Sequence, residues 1–177
     1  MSDPADLTRF IRDIPDWPTP GVMFRDITPM LADADAFARC VGALAKLGAA
    51  DKDGPVDLVA GIEARGFILA APVAHQLQSG FIPVRKHGKL PHTTLSEAYA
   101  LEYGEAVLEI HVDAIQPGQR VLVVDDVLAT GGTIAATTEL IRRAGGEIAG
   151  VSVLIELGAL GGRARNPGLE ISALLTM

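Results

Sequence analysis

Two adjacent carboxylates followed by a glycine-rich turn are the strongest chemical signal in the sequence. Asp125 and Asp126 follow the apolar run Val121–Val124 (VLVV), and the turn Ala129–Thr133 (ATGGT) precedes a helical pattern. Ligands of open α/β sheets bind at the carboxyl ends of strands, so the carboxylates are expected at a binding edge. A glycine-rich turn at a helix N-terminus presents backbone N–H groups and hydroxyls to a phosphate. The run predicts a monophosphate site beside two acceptors for vicinal ribose hydroxyls.

The same two carboxylates would place negative charge beneath a ribose ring. Such charge stabilises an oxocarbenium ion that develops at C1′. Neither GxxxxGK[ST] nor GxGxxG after a strand occurs in the chain, which argues against a nucleotide triphosphatase and a dinucleotide-binding protein. The plain alternative for Asp125 and Asp126 is an acidic turn cap before an ordinary helix.

A parallel α/β sheet is expected to position these residues. Short apolar strands alternate along the chain with amphipathic or buried helices, a pattern typical of a mainly parallel sheet flanked by helices. Helices are predicted at residues 5–12, 33–47, 67–78 and 133–143, and strands at 57–60, 81–85, 106–112, 121–124, 151–155 and 169–175. Asp33 or Asp35 is expected to cap the second helix. The prolines at 15, 18 and 20 exclude regular structure in the run from Pro15 that ends at Gly21.

The segment from Lys86 to Glu105 shows no convincing element. A loop of this length within a compact domain is typical of a functional lid. The length of 177 residues suits one domain, predicted to span residues 1–177 with an N-terminal arm at 1–32 and a lid at 86–105.

Composition excludes several classes of protein. The formal charge of −7 disfavours nonspecific nucleic-acid binding and docking on an anionic membrane. The single cysteine, Cys40, excludes an intrachain disulfide and a thiolate metal site of its own, and it is expected on a buried helix face. The start MSDPADLTRF lacks the apolar core of a signal peptide, and no apolar run approaches the roughly 18 residues of a membrane span. A soluble cytoplasmic protein is therefore predicted.

The run from Val121 to Thr133 resembles, over its whole length, the phosphoribosyl-pyrophosphate signature of type I phosphoribosyltransferases. The resemblance implies their single-domain α/β fold, with a central mainly parallel sheet flanked by helices, an N-terminal purine-binding hood and a flexible lid loop. It implies that Asp125 and Asp126 hold the ribose 2′- and 3′-hydroxyls. The implied 5′-phosphate site consists of Ala129, Thr130, Gly131, Gly132 and Thr133.

Three further segments resemble the adenine branch of that family. The first, Pro20–Pro29 (PGVMFRDITP), is similar to the purine-binding stretch of that branch. The resemblance implies that Phe24 stacks on the purine, that Arg25 approaches its edge and that the main chain around Met23 reads the exocyclic amine. The alternative is that residues 22–24 only close the core under the proline-rich arm.

The second segment, Gly61–Phe67 (GIEARGF), resembles the pyrophosphate loop of the family. The resemblance implies that Glu63, Ala64 and Arg65 form this loop, with Arg65 also acting in catalysis. Its guanidinium suits a diphosphate. The family's loop often contains a cis peptide without proline, which here would precede Ala64 or Arg65. The alternative is a strand-to-helix turn with Arg65 in solvent.

The third segment, Arg85–Pro91 (RKHGKLP) continuing to Tyr99–Gly104 (YALEYG), resembles the flexible loop of the adenine branch. It implies that Arg85, Lys86 and Lys89 bind pyrophosphate and that Glu102 handles the purine proton near N7. A carboxylate under a closed lid is desolvated, which raises its pKa and suits it to proton transfer. The alternatives are a solvated basic cluster and an exposed charge at Glu102. His87 is assigned no role.

The resemblance implies transfer of a phosphoribosyl group to adenine, which gives AMP and pyrophosphate with inversion at C1′. It also implies Mg²⁺ held mainly by substrate and water, a homodimer to which Arg65 or the proline-rich arm contributes, and small-molecule substrates with neither nucleic acid nor membrane as partner. The alternatives are specificity for hypoxanthine, guanine or xanthine, a noncatalytic regulator that binds DNA, and an inactive paralogue. The residues after Gly162 are assigned no role.

Overall fold

The computed structural model describes residues 4–48, 54–100 and 105–177. The β-strands are β1 (Arg12–Ile14), β2 (Phe24–Asp26), β3 (Leu58–Ile62), β4 (Gly80–Lys86), β5 (Thr94–Ala100), β6 (Glu105–His111), β7 (Arg120–Leu128), β8 (Glu147–Glu156) and β9 (Ile171–Thr176). The α-helices are α1 (Thr28–Ala32), α2 (Ala34–Gly48), α3 (Arg65–Leu77) and α4 (Gly132–Arg143), and short 3₁₀ helices lie at Pro4–Phe10 and Gly158–Leu160.

Within the described residues, the central sheet has seven strands in the order β5-β6-β4-β3-β7-β8-β9. The neighbours β4, β3, β7, β8 and β9 run parallel, while β6 pairs antiparallel with both β4 and β5. The prediction of a mainly parallel sheet flanked by helices is confirmed. Since β3, β4 and β7 are parallel neighbours, the loops that follow them meet at one edge of the sheet.

The hydrophobic core lies on both faces of the central sheet. Side chains alternate along β7, so Leu122 and Val124 join the cluster that includes residues of α2 and α3, whereas Val121 and Val123 join the cluster that includes Leu140 of α4. Burial on both faces is why this strand is apolar without alternation. The sheet is therefore a rigid support for the residues that follow its strands.

Most predicted elements occur, with shifted boundaries. The predicted helix at 33–47 is α2, which Asp33 caps by accepting the Ala36 N–H at 2.8 Å, and Cys40 is buried on it as expected. The prediction that the strand at 121–124 ends before the carboxylates is wrong. β7 continues to Leu128 because Asp125 and the residues after it stay paired with β8.

The absence of an element between Lys86 and Glu105 is also a wrong prediction. Residues Thr94–Ala100 form the edge strand β5, which pairs with β6 from Thr94 opposite His111 to Ala100 opposite Glu105. Leu95 and Tyr99 pack on the core, while the alternate positions carry small or polar side chains. An edge strand exposed on one face has a weak apolar signal, which explains the error.

The N-terminal arm contains a small sheet of its own. The predicted helix at 5–12 is a 3₁₀ helix over Pro4–Phe10 that buries Leu7, and β1 then pairs antiparallel with β2. The proline-rich residues between them form turns, as predicted, with a cis peptide bond before Pro18. The arm thus places Phe24 at the start of a paired strand.

Candidate active site

Asp125 and Asp126 lie on β7 with 8% and 6% of their surface exposed. The backbone N–H of Asp126 donates to Asp125 Oδ1 at 2.9 Å. Burial raises the pKa of Asp125, and the negative charge of Asp126 raises it further. Burial also raises the pKa of Asp126, although the charge of Arg65 acts in the opposite direction. The turn-cap alternative is wrong because both acids lie within a strand, where they form a buried, acceptor-rich pair.

Arg65 links this acid pair to the predicted purine-binding stretch. Its Nη2 lies 2.7 Å from Asp126 Oδ2, and its guanidinium carbon lies 4.9 Å from the centroid of the Phe24 ring. Arg65 Nη1 also donates to the carbonyl of Arg25 at 3.5 Å. The strand-to-helix turn of the alternative is present, since α3 begins at Arg65, but the side chain is paired with Asp126 rather than free in solvent. The register explains the proximity, since Gly61 of β3 lies opposite Val124 of β7 and the loops after both strands emerge together.

Gly66 allows α3 to approach the acid pair closely. A Cβ at this position would lie 2.7 Å from Asp125 Oδ1 and 3.2 Å from the carbonyl oxygen of Val124. Cβ atoms essentially never come within 3.0 Å of another heavy atom, so any larger residue here would force Asp125 or α3 to shift. Sequence reasoning placed Gly66 in the loop without seeing this contact, because it depends on where β7 lies.

The glycine-rich turn joins β7 to α4. Gly131 has a φ of +81°, which favours glycine, and it directly precedes the first residue of α4, Gly132. The first N–H groups of a helix have no partner within it, so those of Gly132 and Thr133 remain available to an anion. This geometry suits the predicted phosphate site, and the binding role of residues 129–133 stays a prediction.

Asn166 contacts the glycine-rich turn and was not predicted from the sequence. It is 5% exposed, and its Nδ2 donates to the carbonyl of Gly131 at 3.0 Å. The only hint in the sequence is a polar amide within a short segment between two strands, which is a weak signal.

Two of the predicted pyrophosphate-binding cations, those of Arg85 and Lys89, contact Glu63. Its Oε2 lies 3.4 Å from Arg85 Nε and accepts the backbone N–H of Lys86 at 3.1 Å, and its Oε1 contacts Lys89 Nζ. Burial acts to raise the pKa of Glu63, but the bonds from Lys89 and Lys86 and the two cationic charges outweigh it and lower the pKa. The alternative of a merely solvated cluster is wrong for Arg85 and Lys89. The cis peptide bond lies between Glu63 and Ala64.

Two apolar residues of the predicted purine-binding stretch are exposed. Val22 and Met23 are 41% and 44% exposed, so the core-closing alternative is wrong for both. Trp17, which the sequence did not single out, contacts Phe24 edge-on with 4.4 Å between ring centroids. Arg25 forms an ion pair with Asp13 of the paired strand β1. Its approach to a purine edge stays a prediction.

Asp26 anchors the end of this stretch. Its Oδ1 accepts the Thr28 N–H and its Oδ2 the Thr28 hydroxyl, both at 2.9 Å. The backbone hydrogen bond from Thr28 lowers the pKa of Asp26 despite its burial. The carboxylate therefore acts structurally at the start of α1.

The base of the predicted lid is anchored by Glu109, whereas Glu102 lies outside the described residues. Glu109 accepts the Gly88 N–H at 2.9 Å and the Ser96 hydroxyl at 3.1 Å, and His87 Nδ1 lies 2.7 Å away. Burial acts to raise the pKa of Glu109, but these hydrogen bonds outweigh it and lower the pKa. The structure thus assigns contacts to His87, and the proton-handling role of Glu102 stays a prediction.

The described residues contain neither a metal-binding cluster nor a membrane-spanning helix. Among residues 4–48, 54–100 and 105–177, no group of three or more His, Cys, Asp or Glu could hold a metal ion. No helix in the described part of the chain has the length and hydropathy to cross a membrane.

Comparisons with known proteins agree with this geometry. A family model described as a phosphoribosyl transferase domain matches residues 29–171. The chain is 58% identical over 176 residues to the adenine phosphoribosyltransferase of Acidothermus cellulolyticus, covering 97% of this chain and 98% of that protein. It is 58% identical over 185 residues to that of Streptomyces coelicolor, covering 100% of both.

Solved structures show the same similarity. The adenine phosphoribosyltransferase of Thermoanaerobacter pseudethanolicus superposes with a TM-score of 0.93 at 48% identity, covering 98% of this chain and 99% of that one. The enzyme of Saccharomyces cerevisiae, solved with an imino-altritol bisphosphate and adenine, has a TM-score of 0.92 at 33% identity, covering 97% and 98%.

Proposed function

The chain belongs to the adenine branch of the phosphoribosyltransferase family, and we propose that the edge of the sheet after β3, β4 and β7 is where its two substrates react. The reaction converts adenine and 5-phosphoribosyl 1-pyrophosphate into AMP and pyrophosphate, a step of purine salvage. One observation carries the assignment of the site. Arg65 contacts Asp126 and Phe24 at once, so the ribose-binding and purine-binding stretches belong to one site.

The acid pair binds and stabilises the ribose in this proposal. The vicinal hydroxyls donate to the carboxylates of Asp125 and Asp126, and Arg65 turns from Asp126 toward the diphosphate. The buried negative charge lies beneath the ring and stabilises the oxocarbenium character that develops at C1′. The N9–C1′ bond forms as the bond from C1′ to the pyrophosphate oxygen breaks, with inversion.

The two phosphate groups bind at opposite ends of the ribose. The 5′-phosphate accepts hydrogen bonds from the turn at residues 129–133, where α4 begins. The pyrophosphate binds beside Glu63 and Ala64, and Arg85, Lys86 and Lys89 supply its counter-charges. The contacts of Arg85 and Lys89 with Glu63 support this arrangement, because they hold two cations next to the loop before any substrate binds.

Adenine lies against the aromatic part of the arm. Phe24 stacks on the purine, and the main chain around Met23 accepts from the exocyclic amine, a group that needs an acceptor where a 6-oxo group needs a donor. Trp17 closes the other edge of Phe24. The exposure of Val22 and Met23 supports a ligand-binding surface at this point.

Glu102 takes up the purine proton as N9 becomes bonded to C1′. Closure of the lid desolvates this carboxylate and excludes water that would otherwise hydrolyse the activated sugar. Glu102→Gln should lower kcat with adenine while leaving the KM for phosphoribosyl pyrophosphate nearly unchanged. An unchanged kcat would refute this role.

Mg²⁺ fits the oxygen-rich chemistry of the site. Carboxylate and phosphate oxygens are the ligands it prefers, and Asp125 and Asp126 are the carboxylates beside the sugar phosphate. When bound, Mg²⁺ would be held mainly by substrate oxygens and water, and it would supply positive charge that offsets the charge of the leaving diphosphate. A homodimer and a cytoplasmic location are kept as proposals from the family resemblance.

An absorbance assay of nucleotide formation tests the function with phosphoribosyl pyrophosphate, Mg²⁺ and each purine in turn. Turnover with adenine is expected. Turnover with only a 6-oxopurine would refute the base assignment, and none with any base would favour the regulator alternative.

The same assay tests the acid pair with a matched control. Asp126→Asn should lower kcat/KM for phosphoribosyl pyrophosphate about tenfold to 100-fold, the loss expected for a hydrogen bond to a charged group. Asp113→Asn, at an exposed position after β6, should stay within about twofold. Equal effects of the two substitutions would refute the ribose-binding role.

A further inference from the structure

The segment between β8 and β9 packs directly against the phosphate-binding turn. A Cβ on Gly131 would overlap the carbonyl oxygen of Gly162, and a Cβ on Gly162 would overlap that of Ala129. Two stretches of backbone are therefore in van der Waals contact without a side chain between them. The turn is confined from outside by residues that the proposed reaction does not use.

Asn166 fastens this contact with both hydrogens of its amide. Its Nδ2 donates to the carbonyl of Gly131 at 3.0 Å and to the carbonyl of Gly162 at 2.9 Å. A side-chain amide nitrogen carries two hydrogens, so its donor capacity is used in full. Since the residue is 5% exposed, water cannot readily replace either bond.

The bond to Gly131 determines where the turn directs its N–H groups. The Gly131 carbonyl also accepts the Ala135 N–H at 3.0 Å, so two donors hold it on the side of α4 and Asn166. In a planar trans peptide the carbonyl and the following N–H point in opposite directions. The Gly132 N–H is consequently directed away from Asn166, toward the side left for an anion.

We propose that Asn166 is a positioning residue for the 5′-phosphate, acting through the carbonyl of Gly131. This rests on the proposed function, which places the 5′-phosphate at residues 129–133. Asn166 never contacts the substrate. Its loss leaves the Gly131 carbonyl held by the Ala135 N–H alone, so the peptide can tilt and the Gly132 N–H is directed less strictly.

Ligand binding to the full-length protein tests this directly. Asn166→Leu keeps the branching of the side chain, with two larger methyl groups in place of the amide atoms, and removes both donors. Calorimetry should show ribose 5-phosphate binding weakened about tenfold, the equivalent of one hydrogen bond, and pyrophosphate binding changed less than about twofold. In turnover assays, the KM for phosphoribosyl pyrophosphate should rise, while kcat and the KM for adenine should stay nearly unchanged. A higher KM at an unchanged kcat is the signature of an interaction made equally in the ground state and the transition state.

Arg163 offers a matched control in the same segment. Its Nε and Nη2 bind Glu156 at 2.7 Å each, and its Nη1 binds the carbonyl of Ile171, so Arg163→Ala loosens the segment without touching Gly131. This variant should lower Tm but leave ribose 5-phosphate binding within about twofold. If Asn166→Leu does not fold, Asn166→Ala carries the same comparison.

The outcomes separate this inference from the proposed function. The inference is overturned if the Asn166 variant binds ribose 5-phosphate as tightly as wild type. It is also overturned if binding of ribose 5-phosphate and of pyrophosphate weakens equally. In both cases, synthesis of AMP by the wild-type protein leaves the proposed function intact. An equal loss in Arg163→Ala also overturns it, since general loosening then suffices. A wild-type protein that neither forms AMP nor binds ribose 5-phosphate refutes both.

Discussion

Substitution of Gly66 by alanine tests whether the packing of α3 on β7 sets the position of the acid pair. The new Cβ would lie 2.7 Å from Asp125 Oδ1 and 3.2 Å from the Val124 carbonyl. Both distances are shorter than ordinary van der Waals contact, so the Asp125 side chain or α3 must move. In the structure, Asp125 Oδ1 accepts the Asp126 N–H at 2.9 Å, and this hydrogen bond is lost if Asp125 moves.

The magnitude follows from the cost of overpacking. Forcing an extra methyl group into a well-packed site costs about 1–3 kcal/mol. If the cost falls on the placement of Asp125, the KM for phosphoribosyl pyrophosphate rises about fivefold to 150-fold. If it falls on the fold, each kcal/mol lowers Tm by about 2–4 °C.

The assay is AMP formation at saturating adenine with varied phosphoribosyl pyrophosphate, together with Tm by circular dichroism. Gly42→Ala in α2 is the matched control, because its Cβ would meet Gln76 Nε2 of α3 at an ordinary 3.8 Å. That substitution should stabilise the fold by roughly 0.5–1 kcal/mol through helix propensity and leave KM unchanged. If Gly66→Ala behaves like Gly42→Ala in both measurements, the close packing of α3 on Asp125 is refuted.

Three further predictions use contacts at the edges of the site. Trp17 is the single tryptophan and contacts Phe24, so binding of adenine should change the tryptophan fluorescence, whereas binding of pyrophosphate should not. Fluorescence that does not change when adenine binds would refute the placement of Trp17 beside the purine. Glu63 and pyrophosphate are expected to compete for the ammonium group of Lys89, and Glu63→Gln weakens its ion pair with Glu63. Pyrophosphate should therefore bind the variant about 1.5-fold to fivefold more tightly by calorimetry. Weaker binding would contradict this competition. Burial raises the pKa of Asp125 in the folded state, and the stability tied to its protonated form is lost as pH rises through that raised pKa. Asp125→Asn should therefore raise Tm relative to wild type by a margin that grows as pH rises above the ordinary pKa of an aspartate and through the raised pKa. A margin that does not change with pH would argue against the raised pKa.

Sequence patterns alone predicted the fold class and the chemistry of its central motif. The uninterrupted apolar run Val121–Val124 indicates a strand buried on both faces, and a strand followed by carboxylates and a glycine-rich turn indicates a ligand edge. These signals are local, since periodicity and turn chemistry depend on neighbours in the chain. For the same reason the edge strand at Thr94–Ala100 was missed, because its pairing with β6 stabilises a pattern that is weak by itself.

The tertiary structure decided which side chains contact one another at the site. Arg65 meets Asp126, and Asn166 meets Gly131 across 35 positions of sequence, only because parallel strands bring their following loops to one edge. Hydrogen bonds and ion pairs between distant residues leave no periodic trace in the chain. The sequence alone determined which groups could bind a sugar phosphate, and the packing of the sheet decided which of them meet and which residue holds them in place.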